Sequence, residues 1–345
     1  MLIRFWAKTT HDKDRYPNAY HPLLCHLIDV AAVTLVMWKD VLPKAVKERI
    51  ARSLGLPTDD DGLEVTGRIV AWIAGLHDLG KASPPFAHRP TTQNIHQLYD
   101  GTRFAKTREP EPAKKAPHGY VTASELPEIL GSDFGFSPAL ARQISVMIGG
   151  HHGVFPRCEN TQAIQDNPDY RGGKKWLEVR RWLALEVARM FAIPTLAHSM
   201  TEPKLDNATT MVFAGLVSVA DWIGSNSTFF PCAVNDQTQP FTLDLATYKN
   251  KSKQQAIEAL TELGWMNWVE PDEPRPFSAL FADIKTPHPL QQAAMELAPT
   301  LTTPGIVVVE APMGEGKTET AMFMADHWNA TLKQRGVYFA LPTQA

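Results

Sequence analysis

The sequence predicts a mainly α fold: a helical bundle followed by the partial start of an α/β unit. Three observations carry that expectation. Long apolar segments with helical spacing fill the first two thirds of the chain. A Pro- and acid-rich stretch, "WVEPDEPRPFSALFADIKTPHP", then breaks the pattern. Strand-like, glycine-rich and helix-like segments follow it in the order of a parallel β/α unit.

Taken in order, "PLLCHLIDVAAVTLVMWKDVL" and "GLEVTGRIVAWIAGLHD" place apolar residues at helical spacing. From Asp78 to His118 the chain turns rich in Pro, Thr and Lys ("SPPFAHRPTTQN", "REPEPAKKAP"), which predicts a long surface loop. Helices return with "SPALARQISVMIGG", "KKWLEVRRWLALEVARMFA", "NATTMVFAGLVSVADWIGS" and "SKQQAIEALTELGW", with Ser137-Pro138 and Asn207 as helix starts. "GIVVVEA", "PMGEGKTETAMFMADHW" and "GVYFALPT" then read as strand, turn-helix and strand. The expected division is a metal-site domain over 1–245, a linker over 246–284 and an α/β segment over 285–345. Two strands cannot cover both faces of a sheet, so the second unit reads as cut short.

Composition narrows the class. The chain has 345 residues, 44% hydrophobic and 21% charged, as in an ordinary globular protein. A net charge of −3 gives no global signature of nucleic-acid binding, so any phosphate-binding surface is local. Cys25, Cys158 and Cys232 lack CxxC spacing, which fits a reducing cytoplasm and disfavours disulfides and structural zinc. "MLIRFWAKTTHDKD" has no leader pattern, and "MVFAGLVSVADWIG" is short for a span with Asp221 inside it, so no membrane is expected.

The chemistry lies in histidines and aspartates set in apolar helices. "WIAGLHDLGKAS" ends an apolar run on His77 and Asp78, with Lys81 just after. His26 and Asp29 sit a turn apart in "CHLIDVAA"; His118 lies in "APHGY", where the loop returns to helix; His151 and His152 pair in "GGHHG". Asp221 in "VSVADWIGS" would cost several kcal/mol if buried without a partner or cation. Each has an ordinary explanation alone, as a satisfied core residue or a surface turn. Together, imidazole and carboxylate without thiolate form the ligand set of Mn, Fe, Co, Ni or Zn. Asp29 is read either as orienting the second nitrogen of His26 or as a helix-surface carboxylate.

In the order H…HD…H…HH…D the chain resembles the HD phosphohydrolase superfamily. In its expanded form it resembles the HD nuclease domain of the CRISPR-associated nuclease-helicases of type I systems, over roughly residues 20–230. The resemblance implies an HD-domain helical bundle with two divalent transition metals (Mn, Fe, Co or Ni). His26, His77, Asp78 and Asp221 would hold one. Asp78, His118, His151 and His152 would hold the second, with Asp78 bridging and Lys81 near the phosphate. Two cations about 4 Å apart clamp a phosphate and lower the pKa of water from 15.7 towards about 7. Asp78 and Lys81 are thus the catalytic candidates. The implied substrate is single-stranded DNA, and the implied partner a crRNA-guided surveillance (Cascade-type) complex. Alternatives are an HD phosphohydrolase acting on nucleotides or cyclic dinucleotides, or a docking fragment without activity.

"VVVEAPMGEGKTETA" resembles the P-loop of a RecA-like helicase domain, with Gly314, Gly316, Lys317 and Thr318 as phosphate and Mg²⁺ contacts. Ala311 stands where the full pattern has Gly, a change superfamily 2 helicases accept. "TPHPLQQAAM" resembles the adenine-reading Q motif, with Gln291 as its Gln, and "YFALPTQA" a motif that contacts the DNA backbone. No DExH box or arginine finger follows, so ATP/Mg is expected as a cofactor of the full-length helicase and not of this chain alone. Two basic clusters are candidate DNA paths: Arg103, Lys106, Arg108, Lys114 and Lys115, and Arg171, Lys174, Lys175, Arg180 and Arg181. Phe104 and Trp176 would be available for stacking.

Overall fold

The computed structural model describes residues 4–10, 12, 14–91, 95–106, 112–193, 204–236, 238, 241–267, 269, 273–334, 336–338 and 340. They fall into two compact units, Met1–Met266 and Asn267–Ala345.

The first unit opens on a two-stranded antiparallel hairpin, β1 (Trp6–Thr9) and β2 (Tyr20–Pro22), and continues almost wholly as helix. Helix α1 (Leu23–Val36) buries every residue except Leu35, so it is apolar all round and runs through the core. One π turn, Met37–Val41, ends it. Then come α2 (Lys44–Ser53) and α3 (Asp60–Gly75), the latter started by Asp59, which accepts from the Gly62 amide at 2.8 Å. The 3₁₀ segment Leu76–Lys81 follows α3 directly and carries His77 and Asp78.

The stretch expected as a long surface loop carries packed anchors among its described residues. It contains the single turn α4 (Pro84–Ala87) and a 3₁₀ turn, Ile95–Tyr99. Phe86, Ile95, Tyr99, Phe104 and Ala116 are all buried. The Pro and Lys content hid these few apolar anchors, and anchors decide burial.

Helices α5 (His118–Phe134) and α6 (Pro138–Gly149) pack most closely, because a glycine on each removes the side chain at their crossing. A Cβ on Gly119 would stand 2.2 Å from the Gly149 carbonyl oxygen, and one on Gly149 2.5 Å from that of Gly119. Ser137 caps α6 as expected, accepting from the Leu140 amide at 3.3 Å. The short α7 (Cys158–Asp166) and α8 (Pro168–Arg171) precede α9 (Lys174–Met190), whose Ala184 carbonyl accepts from the Trp72 indole at 3.1 Å.

Helix α10 (Asn207–Ser225) starts at Asn207 as expected and is capped by Asp206, which accepts from the Thr209 amide at 2.7 Å. It is long and apolar enough to cross a membrane by length and composition, yet half of it is buried in the unit, as in a core helix. Lys8 on β1 donates to the carbonyls of Gly224, Ser225 and Phe230, satisfying the end of α10. Helix α11 (Leu245–Glu262) packs on α1, so the first stretch of the expected 246–284 linker belongs to the helical unit.

The second unit holds α12 (Phe277–Leu280), α13 (Pro289–Leu297) and α14 (Lys317–Thr331) around Phe277, Ala294, Ala298, Phe323 and Met324. Residues 305–311, expected as a strand, join no ladder among the described residues, and Ile306 and Val308 are 93% and 78% exposed. An isolated extended segment has no partner for its backbone groups. The expected second strand lies partly outside the described residues.

Candidate metal centre

Seven side chains from five elements meet in the first unit. His26 comes from α1, His77 and Asp78 from the 3₁₀ segment, and His118 from the first turn of α5. His151 and His152 follow α6, and Asp221 comes from α10. They form two groups whose ligand atoms lie within 4.8 Å of one another: His26, His77, Asp78 and Asp221, and His118, His151 and His152.

Asp78 joins the groups. Its Oδ2 lies 2.9 Å from His26 Nε2 and 3.4 Å from His77 Nε2. Its Oδ1 lies 3.0 Å from His118 Nε2 and 3.6 Å from His151 Nε2. Asp221 Oδ1 closes the first group at 3.4 Å from His26 Nε2 and 3.3 Å from His77 Nε2. Lys81 pairs with Asp78 Oδ2 from one turn on.

The ring orientations follow from the backbone. His77 Nδ1 lies 2.9 Å from the Ala74 carbonyl and His151 Nδ1 2.7 Å from that of Ile148. A carbonyl only accepts, so both Nδ1 atoms carry the proton and each Nε2 turns inward. Thr122 steadies the turn at His77: its hydroxyl donates to the His77 carbonyl and accepts from the Gly80 amide, both at 2.9 Å.

A divalent cation fits this donor set. His26 Nε2, His77 Nε2, His151 Nε2 and Asp78 Oδ1 are buried without an aligned hydrogen bond, although oppositely charged or polar atoms lie 2.9–3.6 Å away. Inward-facing imidazole nitrogens and carboxylate oxygens that lie this close without an aligned hydrogen bond are what a cation satisfies and a hydrogen-bond network does not.

The electrostatics agree. Burial disfavours the charge on Asp78, but Lys81, His77 and His118 overcome it and hold the carboxyl well below its usual range. Asp221 is held low in the same way, chiefly by His77 and then His26. Against desolvation, the charges of Asp78 and Asp221 raise His77 to about 10. His151, desolvated and facing His77, falls to about 3.

Asp29 does neither of the things expected of it. It is fully buried, and its Oδ2 accepts from His21 Nε2 at 2.8 Å and from the Tyr248 hydroxyl at 3.2 Å, not from His26. The Ala233 amide donates to His21 Nδ1 at 3.2 Å, so this histidine is a neutral link between Ala233 and Asp29 of α1, while Tyr248 ties α11 to the same carboxylate. The sequence reading also missed Ser225, whose hydroxyl donates to Asp221 Oδ1 at 2.9 Å. Its spacing of four residues along one helix was the available signal.

The basic clusters are largely spent on structure. Arg180 is buried, paired with Glu125 at 2.6 Å and donating to the Ala82 carbonyl, so it is no DNA contact. Arg181 pairs with Asp133, Arg103 with Glu178 at 3.4 Å, and Arg171 lies 3.8 Å from Glu125. Phe104 and Trp176 are 1% and 3% exposed and pack on Phe5, which removes them as stacking platforms. Arg108 lies outside the described residues.

In the second unit Gln291, Gly314, Gly316, Lys317 and Thr318 line one cavity of about 430 Å³ with His288. Gly316 adopts the left-handed conformation (φ 77°) at the start of α14. Lys317 Nζ donates to the Ala311 and Pro312 carbonyls at 2.7 and 2.8 Å, folded onto its own loop. Gln291 accepts from the His288 amide at 2.9 Å. The motif "YFALPTQA" lies mostly outside the described residues.

Comparison with known proteins gives an independent view. The family described as "Cas3, HD domain" matches residues 6–230. A CRISPR-associated endonuclease/helicase Cas3 of Thermus thermophilus is 32% identical over 99% of this chain and 34% of its own length. The chain spans between 34% and 38% of the length of the curated relatives it matches. A crystal structure of the Thermus thermophilus Cas3 HD domain in the presence of Ni²⁺ superposes with a TM-score of 0.53 at 28% identity, covering 76% of this chain and 90% of that one. A chain in a CRISPR RNA-guided surveillance complex described as pre-nicking superposes at 0.56 with 28% identity, covering 95% and 35%.

Proposed function

The chain belongs to the Cas3 HD-domain family, and from that premise we propose that it is a metal-dependent nuclease of CRISPR interference, acting in the cytoplasm on phosphodiester bonds of single-stranded DNA. The observation that carries the reading is Asp78, whose two carboxylate oxygens divide between two groups of inward-facing imidazoles.

His26, His77, Asp78 and Asp221 would hold one divalent cation, and Asp78, His118, His151 and His152 the other. Bound there, the pair supplies Lewis acidity towards the phosphate and makes water a stronger nucleophile near neutral pH. The chain's own residues do the rest. Lys81, beside Asp78, sets a positive charge where negative charge grows on the phosphate oxygens. The Ala74 and Ile148 carbonyls keep Nε2 of His77 and His151 turned inward, and Ser225 holds one oxygen of Asp221. His152 is exposed and His118 partly so, at 18% of its side chain, so polymeric substrate approaches from their side. Mn, Fe, Co and Ni all suit these ligands.

For the longer protein the cavity around Lys317 would take ATP with Mg²⁺, and a Cascade-type complex would deliver the DNA. The resemblance of the second unit and the surveillance-complex neighbour support these two points.

The test is elemental analysis of the purified chain, then cleavage of single-stranded DNA against a panel of nucleotides and cyclic dinucleotides with Mn, Ni, Co and Fe added back. Two metals per chain and metal-dependent DNA cleavage are expected. Turnover confined to nucleotides would transfer the site to the phosphohydrolase reading. Metal binding with no turnover of anything would leave a docking module.

A further inference from the structure

Beyond the ligands, one cation near the centre has no carboxylate partner among the described residues. Arg89 follows the turn α4 in the segment the sequence marked only as loop. Its guanidinium lies 4.6 Å from the centroid of the Trp6 ring and 4.1 Å from that of Phe86, and both rings are buried. Two aromatic contacts hold the planar group without using its N–H donors. Among the described residues no carboxylate stands within 4.0 Å of it, whereas Arg103, Arg171, Arg180 and Arg181 each have one.

Phe86 ties Arg89 to the centre. The same ring lies 5.4 Å from Lys81 Nζ and 5.8 Å from the ring of His118. Lys81 is committed to Asp78, so the two cations stand in succession, one on the metal-binding carboxylate and one beyond the ring. Asp78 is also the one charged group that acts appreciably on Arg89, offsetting part of what burial takes away. A pre-oriented guanidinium with no side-chain hydrogen bond or carboxylate within 4.0 Å among the described residues, beside a centre that would carry cations, is matched by an anion from outside. A nucleic-acid strand supplies one anion per nucleotide.

We propose that Arg89 is a substrate-binding residue that grips the backbone phosphate adjacent to the one being hydrolysed. This rests on the nuclease reading above. Arg89 then acts on substrate capture and not on the bond-breaking step, since Phe86 separates it from the cations' ligands.

The experiment is steady-state cleavage of a labelled single-stranded oligonucleotide in Mn²⁺ by the wild-type chain, Arg89→Gln and Arg89→Lys, between about 50 and 200 mM salt. Metal content and thermal midpoint are measured alongside. For Arg89→Gln, KM should rise about tenfold with kcat within about twofold, as for one lost charge-assisted bond. Its plot of log KM against log salt should flatten by about 0.7, the share of one phosphate on a single strand. Arg89→Lys, which keeps the charge without the fork, should recover the salt slope but only part of KM. An unchanged KM and slope in folded, Mn-loaded Arg89→Gln overturn the assignment, as does a loss confined to kcat. Should Arg89→Gln not fold, an unaltered KM in Arg89→Lys overturns the requirement for the fork. A wild-type chain that leaves DNA intact in every ion sinks the nuclease reading itself, a result distinct from intact cleavage with an indifferent Arg89.

Discussion

His118 and His152 face each other nitrogen to nitrogen, Nε2 to Nε2 at 3.2 Å, from positions 34 residues apart in sequence. Two neutral imidazoles at this distance share at most one proton, while a cation between them would use both lone pairs. His118 is further drawn down by desolvation, which favours the neutral, ligating form.

The two sites should therefore empty separately. His152→Ala should retain about one Mn or Ni per chain where the wild type holds two, and Asp78→Ala about none, read by mass spectrometry of dialysed protein. Equal metal content in wild type and His152→Ala would contradict a second site.

Cleavage should follow the same hierarchy. Asp78→Ala should abolish it while circular dichroism stays helical. Lys81→Met should keep the metals and lose about a hundredfold in kcat, the usual scale for one lost charge-stabilising donor. Near-native turnover by Lys81→Met would remove that lysine from the chemistry.

Metal loading should release a proton. At pH 8 the metal-free chain keeps His77 protonated, because its value stands at about 10 against an ordinary 6.5. Ligation needs the Nε2 lone pair, so binding expels that proton. Calorimetry in two buffers of different ionisation enthalpy should give about one proton per chain at pH 8, and markedly less for His77→Ala.

His21 makes the metal-free fold acid-sensitive. Burial, opposed only in part by Asp29, lowers it from 6.5 to about 4. Between those values the unfolded chain takes up a proton that the native chain refuses, so stability falls as pH falls through this window. The loss is about 3 kcal/mol at about 1.4 kcal/mol per pH unit. His21→Gln can still accept from Ala233 and donate to Asp29, and should lose correspondingly less between pH 6.5 and 4 in chelated thermal melts. Parallel curves for the two proteins would rule this out.

What was legible in the sequence was what is costly to hide. His26, His77, Asp78 and Asp221 stood out because ionisable groups inside apolar helices need a reason, and all four are buried here. The long helices were legible from spacing, as in Leu23–Val36 and Asn207–Ser225. Partnerships made only by folding were not. Asp29 and Tyr248 are 219 residues apart, and nothing local in either names the other. Arg180 and Trp176 read as a surface face because a cluster of charges says nothing about Glu125 waiting across the fold. Arg89 was passed over for the same reason: its two rings come from β1 and α4.

Gly119 and Gly149 leave no room for a Cβ on either chain where α5 crosses α6, and His118 and His151 stand immediately beside that crossing. Two main chains already in hard contact cannot close further around a smaller ion, and no rotamer change can widen or narrow them. A cation held by His118 and His151 would therefore meet a frame that resists contraction on this side, and any adjustment to its radius would fall to the ligands carried by the other elements.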